Sequence, residues 1–149
     1  MTTLNPFHLA IPVYDLDQTP AFYETVLGCS RGRASAAWID LNLFGHQLVL
    51  HQVCRNGQQE RGEQTNPVDG HDIPVPHFGV VLDWATFEAL VERIENAGAD
   101  FLIAPTTRFK GRAGEQRTCF LTDPSGNYLE FKTFKNLDSL FAQNLEKYD

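Results

Sequence analysis

The sequence predicts an α+β protein of two βαβββ modules, whose strands form a curled eight-stranded mixed sheet around a concave metal-binding pocket with helices outside. Three observations predict it. The element order occurs twice along the chain, each predicted strand has one apolar face, and two histidines and a glutamate stand on the opposite faces.

In the first module, about residues 4–54, the odd positions of Phe7-His8-Leu9-Ala10-Ile11-Pro12-Val13 are uniformly large and apolar. That face must be covered, so His8 points away from it. Asp15-Leu16-Asp17 leads into a helix over 18–27, where Leu16, Phe22, Tyr23, Val26 and Leu27 recur at helical spacing behind an acidic N-cap, and Gly28 ends it. A short strand near Cys29 to Arg33 follows. Then Ala37 to Leu43 and Gln47 to Val53 form a hairpin turned by Phe44-Gly45-His46. Residues 55–75 are rich in Gly, Gln, Asn, Glu and Pro, lack any apolar period, and read as a long connecting loop.

The second module, about 76–134, repeats the order with strand Pro76 to Leu82, helix Trp84 to Ala97, and strands Phe101 to Phe109, Glu115 to Leu121 and Asn127 to Phe134. Asp123-Pro124-Ser125-Gly126 has Pro and Gly where a type I turn prefers them. A C-terminal helix is expected over about 137–146. The two copies are in register: Gly28 comes 20 residues after His8, and Gly98 comes 21 after His77. Strand sets this small cannot hide a face alone, so the modules are expected to pack as one domain over 1–149.

Composition narrows the partners. A net charge of −7 with no cluster of Lys or Arg argues against nucleic acid or an anionic membrane, and favours a small molecule or another protein. Cys29, Cys54 and Cys119 are odd in number and show no C-x-x-C spacing, so they read as reduced thiols. No signal-peptide layout and no apolar run of about 20 residues occurs. A soluble cytoplasmic protein is expected.

The chemistry-bearing residues follow from alternation. Phe78, Val80 and Leu82 set His77 on the opposite face, while Leu129 and Phe131 leave Glu130 exposed beside Tyr128 and Lys132. His8, His77 and Glu130 therefore make a two-histidine, one-carboxylate set, which holds a divalent metal with positions open for substrate. On the first module's hairpin, Trp38, Asp40 and Asn42 share the pocket face and, with Tyr128, are the candidate substrate contacts. Lys132 could receive an anionic group; Lys110 and Arg112 suit a solvated loop better. His46 and His71 fall in turns and stay outside the ligand set.

Phe7-His8-Leu9-Ala10, Phe22-Tyr23, Leu27-Gly28, Pro76-His77-Phe78-Gly79 and above all Asp123-Pro124-Ser125-Gly126-Asn127-Tyr128-Leu129-Glu130-Phe131 resemble the vicinal-oxygen-chelate superfamily. That superfamily includes glyoxalase I, fosfomycin- and bleomycin-resistance proteins, methylmalonyl-CoA epimerase and the extradiol dioxygenases. Phe44-Gly45-His46-Gln47, residues 70–78 and Phe109-Lys110-Gly111 are similar to a small-protein group described as predicted extradiol-type dioxygenases.

The resemblance places the metal positions on the same three residues, His8, His77 and Glu130. Glyoxalase I has a fourth ligand at the position symmetric with Glu130; Glu130 follows Gly126 by four residues, and four after Gly45 stands Val49. A three-ligand site is thus implied. His51, two residues beyond Val49, reads either as an acid or base beside the metal, as in extradiol enzymes, or as a polar residue lining a wet pocket. Residues 110–129 hold no His and only Tyr128, a departure from ring-cleaving members.

The implied cofactor is one divalent ion per site, Fe(II) for ring cleavage of a catechol, with Mn, Zn, Ni or Co for isomerisation, epimerisation or nucleophile addition. The alternatives to an extradiol-dioxygenase-like enzyme are a glyoxalase- or epimerase-type lyase or isomerase, and a metal-free ligand-sequestering resistance protein. The resemblance also implies a homodimer.

Overall fold

A computed structural model of the chain describes residues 3–55, 64–68 and 70–143. The first repeat contributes β1 (His8–Val13), α1 (Gln18–Thr25), β2 (Ser30–Ala34), β3 (Trp38–Leu43) and β4 (His46–Gln52). Between the repeats lie β5 (Gln64–Val68) and β6 (His71–Val75). The second repeat contributes β7 (Val81–Leu82), α2 (Trp84–Asn96), β8 (Ile103–Arg108), β9 (Gln116–Thr122) and β10 (Tyr128–Phe134), followed by a 3₁₀ turn at Leu137–Phe141.

The strands of the repeats form two four-stranded sheets of the same topology, β1-β4-β3-β2 and β7-β10-β9-β8. In each, the first strand pairs parallel with the last and the remaining pairs are antiparallel, so each sheet is mixed, and the eight strands predicted as one sheet are divided between two of four. The residues cluster into two compact units, Met1–Val75 with Asp123–Asn127, and Pro76–Thr122 with Tyr128–Asp149.

In the first unit the covered face carries Ile11 and Val13 of β1, Ile39, Leu41 and Leu43 of β3, and Leu48 and Leu50 of β4, all buried. Tyr23 of α1 is fully buried. Phe7, expected on this face, is instead 64% exposed. It precedes β1 and serves through its backbone, donating to His46 Nδ1 and accepting from the Gln47 N–H. The β3–β4 turn needs both Phe44 and Gly45 at positive φ, the signature of a two-residue hairpin whose twist matches its strands.

In the second unit Asp83 caps α2 by accepting from the Thr86 N–H, and α2 packs on β10 through a stripe that includes Phe87, Leu90, Val91 and Ile94. The covered face of the sheet is Cys119 and Leu121 of β9 and Leu129 and Phe131 of β10, each without solvent exposure.

Three expectations need correction. The connecting loop of 55–75 contains the β5–β6 hairpin, while 56–63 and Asp69 lie outside the described residues. Its strands gave no signal because β5 is exposed along its whole length, and Pro67 and Pro74 count against a strand in sequence. The strand expected over Pro76 to Leu82 is regular only at Val81–Leu82. Residues 78–80 still run beside β10, with Phe78 N–H donating to Tyr128 O and Glu130 N–H to Phe78 O. The C-terminal helix is a single 3₁₀ turn, and the expected residues 144–146 lie outside the described set. Leu137 and Phe141 are exposed there.

His46 and His71 also differ from expectation, since both lie on strands, at the starts of β4 and β6. The three thiols are free, with Cys29 and Cys119 buried and Cys54 exposed. Among the described residues no helix is long and apolar enough to cross a membrane.

The turn at 123–127 completes the first unit. The Gly126 N–H donates to Asp123 O, as a type I turn requires, and Gly126 takes φ +86°. The Asp123 carboxylate accepts from the Ser125 and Asn127 N–H groups, the Asn127 amide and the Tyr23 hydroxyl. Burial, reinforced by the neighbouring Asp123 charge, raises the Tyr23 phenol well above its ordinary value. Tyr23 therefore stays protonated in the folded state after the unfolded chain has begun to ionise near pH 10, and its stabilising contribution fades as pH rises above that point. Tyr23→Phe should cost about 2 kcal/mol at pH 7, the order of one hydrogen bond to a carboxylate. In urea unfolding, the gap between the two proteins should narrow above about pH 10.

Candidate metal centre

Parity and register put the candidate residues on the face of each sheet away from its apolar core. In the first unit His8 pairs with Gln47, Gln47 with Asn42, Val49 with Asp40, and His51 with both Trp38 and Pro12. His8, Asn42, Gln47 and His51 thus share one face with Trp38 and Asp40. In the second unit Glu130 pairs with Phe120 and Lys132 with Thr118, so Tyr128, Glu130 and Lys132 share theirs. The bridge between Phe78 and Leu129 sets His77 beside Tyr128. Gln47 and Tyr128 each stand two residues after the turn glycine, so the two histidines occupy equivalent positions in the two sheets.

His77 and Glu130 are brought together. Nε2 of His77 lies 2.9 Å from Oε2 of Glu130. The other carboxylate oxygen, Oε1, accepts from the Thr118 hydroxyl at 2.6 Å and has Lys132 Nζ 3.7 Å away. The His77 ring stands edge-on to Phe120, centroids 5.2 Å apart. The glutamate side chain is 14% exposed and His77 26%, a pocketed pair still open to a ligand.

This approach depends on a missing side chain. A Cβ placed on Gly79 would lie 1.6 Å from the Glu130 carbonyl oxygen, so only glycine lets residues 77–80 lie against β10. No side-chain rotation could relieve a clash with backbone.

In the first unit Nδ1 of His8 lies 2.8 Å from Gln47 Oε1. Gln47 Nε2 is 3.4 Å from Asp40 Oδ2, and Arg33 Nε reaches the same oxygen at 3.2 Å. Asp40 is buried, and Arg33 also lies over the Trp38 ring, 5.8 Å from its centroid. Asn42 closes the β3–β4 turn by accepting from the Gly45 N–H. His51 is exposed, Val49 is buried, and Tyr128 is half-buried.

Nε2 of His77 and Oε2 of Glu130 meet at the distance of an ion pair, and both are atom types that would hold a divalent ion bound there. By donor type His77 and Glu130 could serve as ligands, with Thr118 holding the carboxylate as an outer partner would. Among the described residues no three His, Cys, Asp or Glu side chains gather as a group able to hold a metal ion. His8 belongs to the other unit and is held there by Gln47. Thr118, Phe120 and Gln47 are the contacts that sequence reasoning missed. Alternation gives their faces, but their importance comes from cross-strand register, which is fixed only on pairing.

Comparison with known proteins identifies the family. The model of the "Glyoxalase/Bleomycin resistance protein/Dioxygenase superfamily" matches residues 6–131. A crystal structure of a glyoxalase/bleomycin resistance protein/dioxygenase from Alicyclobacillus acidocaldarius is 36% identical, covers 92% of this chain and 96% of that one, and has a TM-score of 0.74. Two more distant structures share the fold. The fosfomycin resistance protein FosX from Listeria monocytogenes is 17% identical over 93% of this chain and 98% of its own, with a TM-score of 0.63. Lactoylglutathione lyase from Agrobacterium tumefaciens is 18% identical over 95% and 99%, with a TM-score of 0.61. No curated protein matches the sequence. A family match from residue 6 to residue 131, spanning both sheets and ending just beyond Glu130, makes the assignment: this chain belongs to the glyoxalase/bleomycin resistance protein/dioxygenase superfamily.

Proposed function

We propose that the protein is a divalent-metal-dependent enzyme acting on a small molecule with two adjacent oxygens, and that its reaction is of the extradiol-dioxygenase type. The observation that carries the metal reading is the His77–Glu130 pair, two ligand-type atoms 2.9 Å apart with the carboxylate braced by Thr118. His8 is the proposed third ligand, supported by its position equivalent to His77 and by its place on the polar face of its sheet. When bound, the ion, Fe(II) on the dioxygenase reading, supplies Lewis acidity and open positions to the substrate oxygens.

The residues around it have separate tasks. Lys132, a third exposed, offers a cation beside Glu130 for a substrate oxygen that carries charge. His51 offers an imidazole for proton transfer from the equivalent position on the other sheet. Trp38 provides an aromatic wall, and Asp40, Asn42 and Tyr128 provide polar groups on the same faces. Val49 in place of a fourth ligand favours chemistry that needs several open positions, which supports oxygenation over the four-ligand glyoxalase form.

A lyase or isomerase is the second reading. It is favoured by the absence of any histidine between residues 110 and 129, where ring-cleaving relatives carry one. Sequestration of a ligand without metal has no observation in its favour.

The purified protein should bind about one divalent ion per chain. His77→Ala and Glu130→Gln should each weaken binding at least tenfold by competition with a chelator; unchanged affinity in both folded variants would remove the metal reading. With Fe(II) loaded, O2 uptake is expected on some member of a catechol panel, and His51→Ala should keep its iron while losing about 10² to 10⁴ in turnover. Turnover of a 2-hydroxy acid or epoxide panel with no O2 uptake on catechols would select the second reading. A homodimer is the proposed working form, and light scattering at micromolar concentration should give twice the chain mass.

A further inference from the structure

Asp40, on the polar face of β3, has its carboxylate engaged by two neighbouring side chains. Its side chain is 12% exposed, and Oδ2 meets both Arg33 Nε and Gln47 Nε2. β2 runs close beside it: a Cβ on Gly32 would come within 3.3 Å of the Asp40 Cβ, a tight contact. The register shift in β2 between Arg31 and Ala34 falls at the same place, next to Arg33.

We propose that Asp40 and Gln47 are positioning residues that fix the ring tautomer of His8. A carboxylate only accepts hydrogen bonds, so the Gln47 side chain must present its NH2 group to Asp40. The amide oxygen is then the atom that faces His8, 2.8 Å from Nδ1. An amide oxygen also only accepts, so the proton of the neutral imidazole must sit on Nδ1. Nε2 is left with a free lone pair. This is the opposite of the tautomer that free histidine favours, so the bias has to be supplied by the fold. Arg33 anchors the Asp40 carboxylate from its other side, which holds the direction of every hydrogen bond in the series.

The functional consequence rests on the reading of His8 as a metal ligand: a lone pair on Nε2 is ready to bind before the ion arrives, and an outer partner of this kind is worth roughly tenfold to a hundredfold in affinity. The same position in the second sheet is Tyr128 in place of Gln47, so the device belongs to the first unit alone.

The test separates the tautomer from the metal. In the metal-free protein, about two pH units above the ordinary histidine pKa, nitrogen NMR should show His8 protonated mainly on Nδ1. Gln47→Leu should move the proton mainly to Nε2, and Asp40→Asn, which removes the obligatory acceptor, should leave a mixture. The exchanged pair Asp40→Asn with Gln47→Glu should restore Nδ1 protonation, because the carboxylate at position 47 accepts from His8 and from the new amide. Zn(II) affinity should fall about tenfold in Gln47→Leu and only a few-fold in Asp40→Asn, where part of the His8 population keeps its proton on Nδ1, and should recover in the exchanged pair. His8 protonated on Nε2 in the unaltered protein, or a ratio unmoved by Gln47→Leu, would overturn the proposal. A moved tautomer with unchanged Zn(II) affinity would uphold the relay and overturn His8 as a ligand.

Discussion

The contact between the backbone at Gly79 and the backbone of β10 is the constraint on which the second unit's site depends. Phe78 donates to Tyr128 and accepts from Glu130, and the residue between them and the rest of the strand must have no side chain. Parallel pairing at this distance fixes where His77 emerges. Glu130 is fixed by its own strand and by Thr118 across the ladder, so the two ligand-type atoms meet without any long flexible segment having to be ordered. That is the preorganisation a metal site needs if the cost of assembling it is to be met during folding and not during binding.

The duplication explains both what is shared and what is not. Each sheet has its first strand at one edge, paired with its last strand, each puts a histidine beside the second residue after a turn glycine, and each leaves that face polar. The acidic group, however, has moved between strands. Glu130 on the last strand of one sheet has Val49 as its counterpart, while Asp40 on the third strand of the other has Phe120. One half therefore sets its carboxylate against a histidine, and the other sets its carboxylate against Arg33 and Gln47. Phe120 completes the contrast by packing against His77 where Asp40 acts on His8 through Gln47.

Strand alternation made much of this legible. The helices, the two hairpins, the repeat and the faces of His8, Glu130 and Lys132 follow from apolar period and turn residues alone, because burial of one face dictates them. The β5–β6 hairpin was not legible because its pairing is carried by backbone bonds between exposed, proline-containing segments. The shortening of β7 escaped for a related reason: Gly79 looks like any glycine until a neighbouring strand is laid against it. The partners of Asp40 were not legible because parity gives only the face of a side chain, and it takes the positions of Arg33 and Gln47 to show what its carboxylate meets.

The turn at 123–127 has a consequence for how the molecule is made. Tyr23, buried at the centre of the first unit, donates to a carboxylate exactly one hundred residues further along the chain, and Asn127 donates to the carbonyl of Pro12. A chain leaving the ribosome thus carries a phenol without its acceptor, and a β1 strand without its last anchor, until nearly all of the second repeat has been synthesised. The first half can collapse early but cannot finish early. Its completion coincides with the appearance of β10, so the unit that holds His8 and the strand that holds Glu130 reach their final state together.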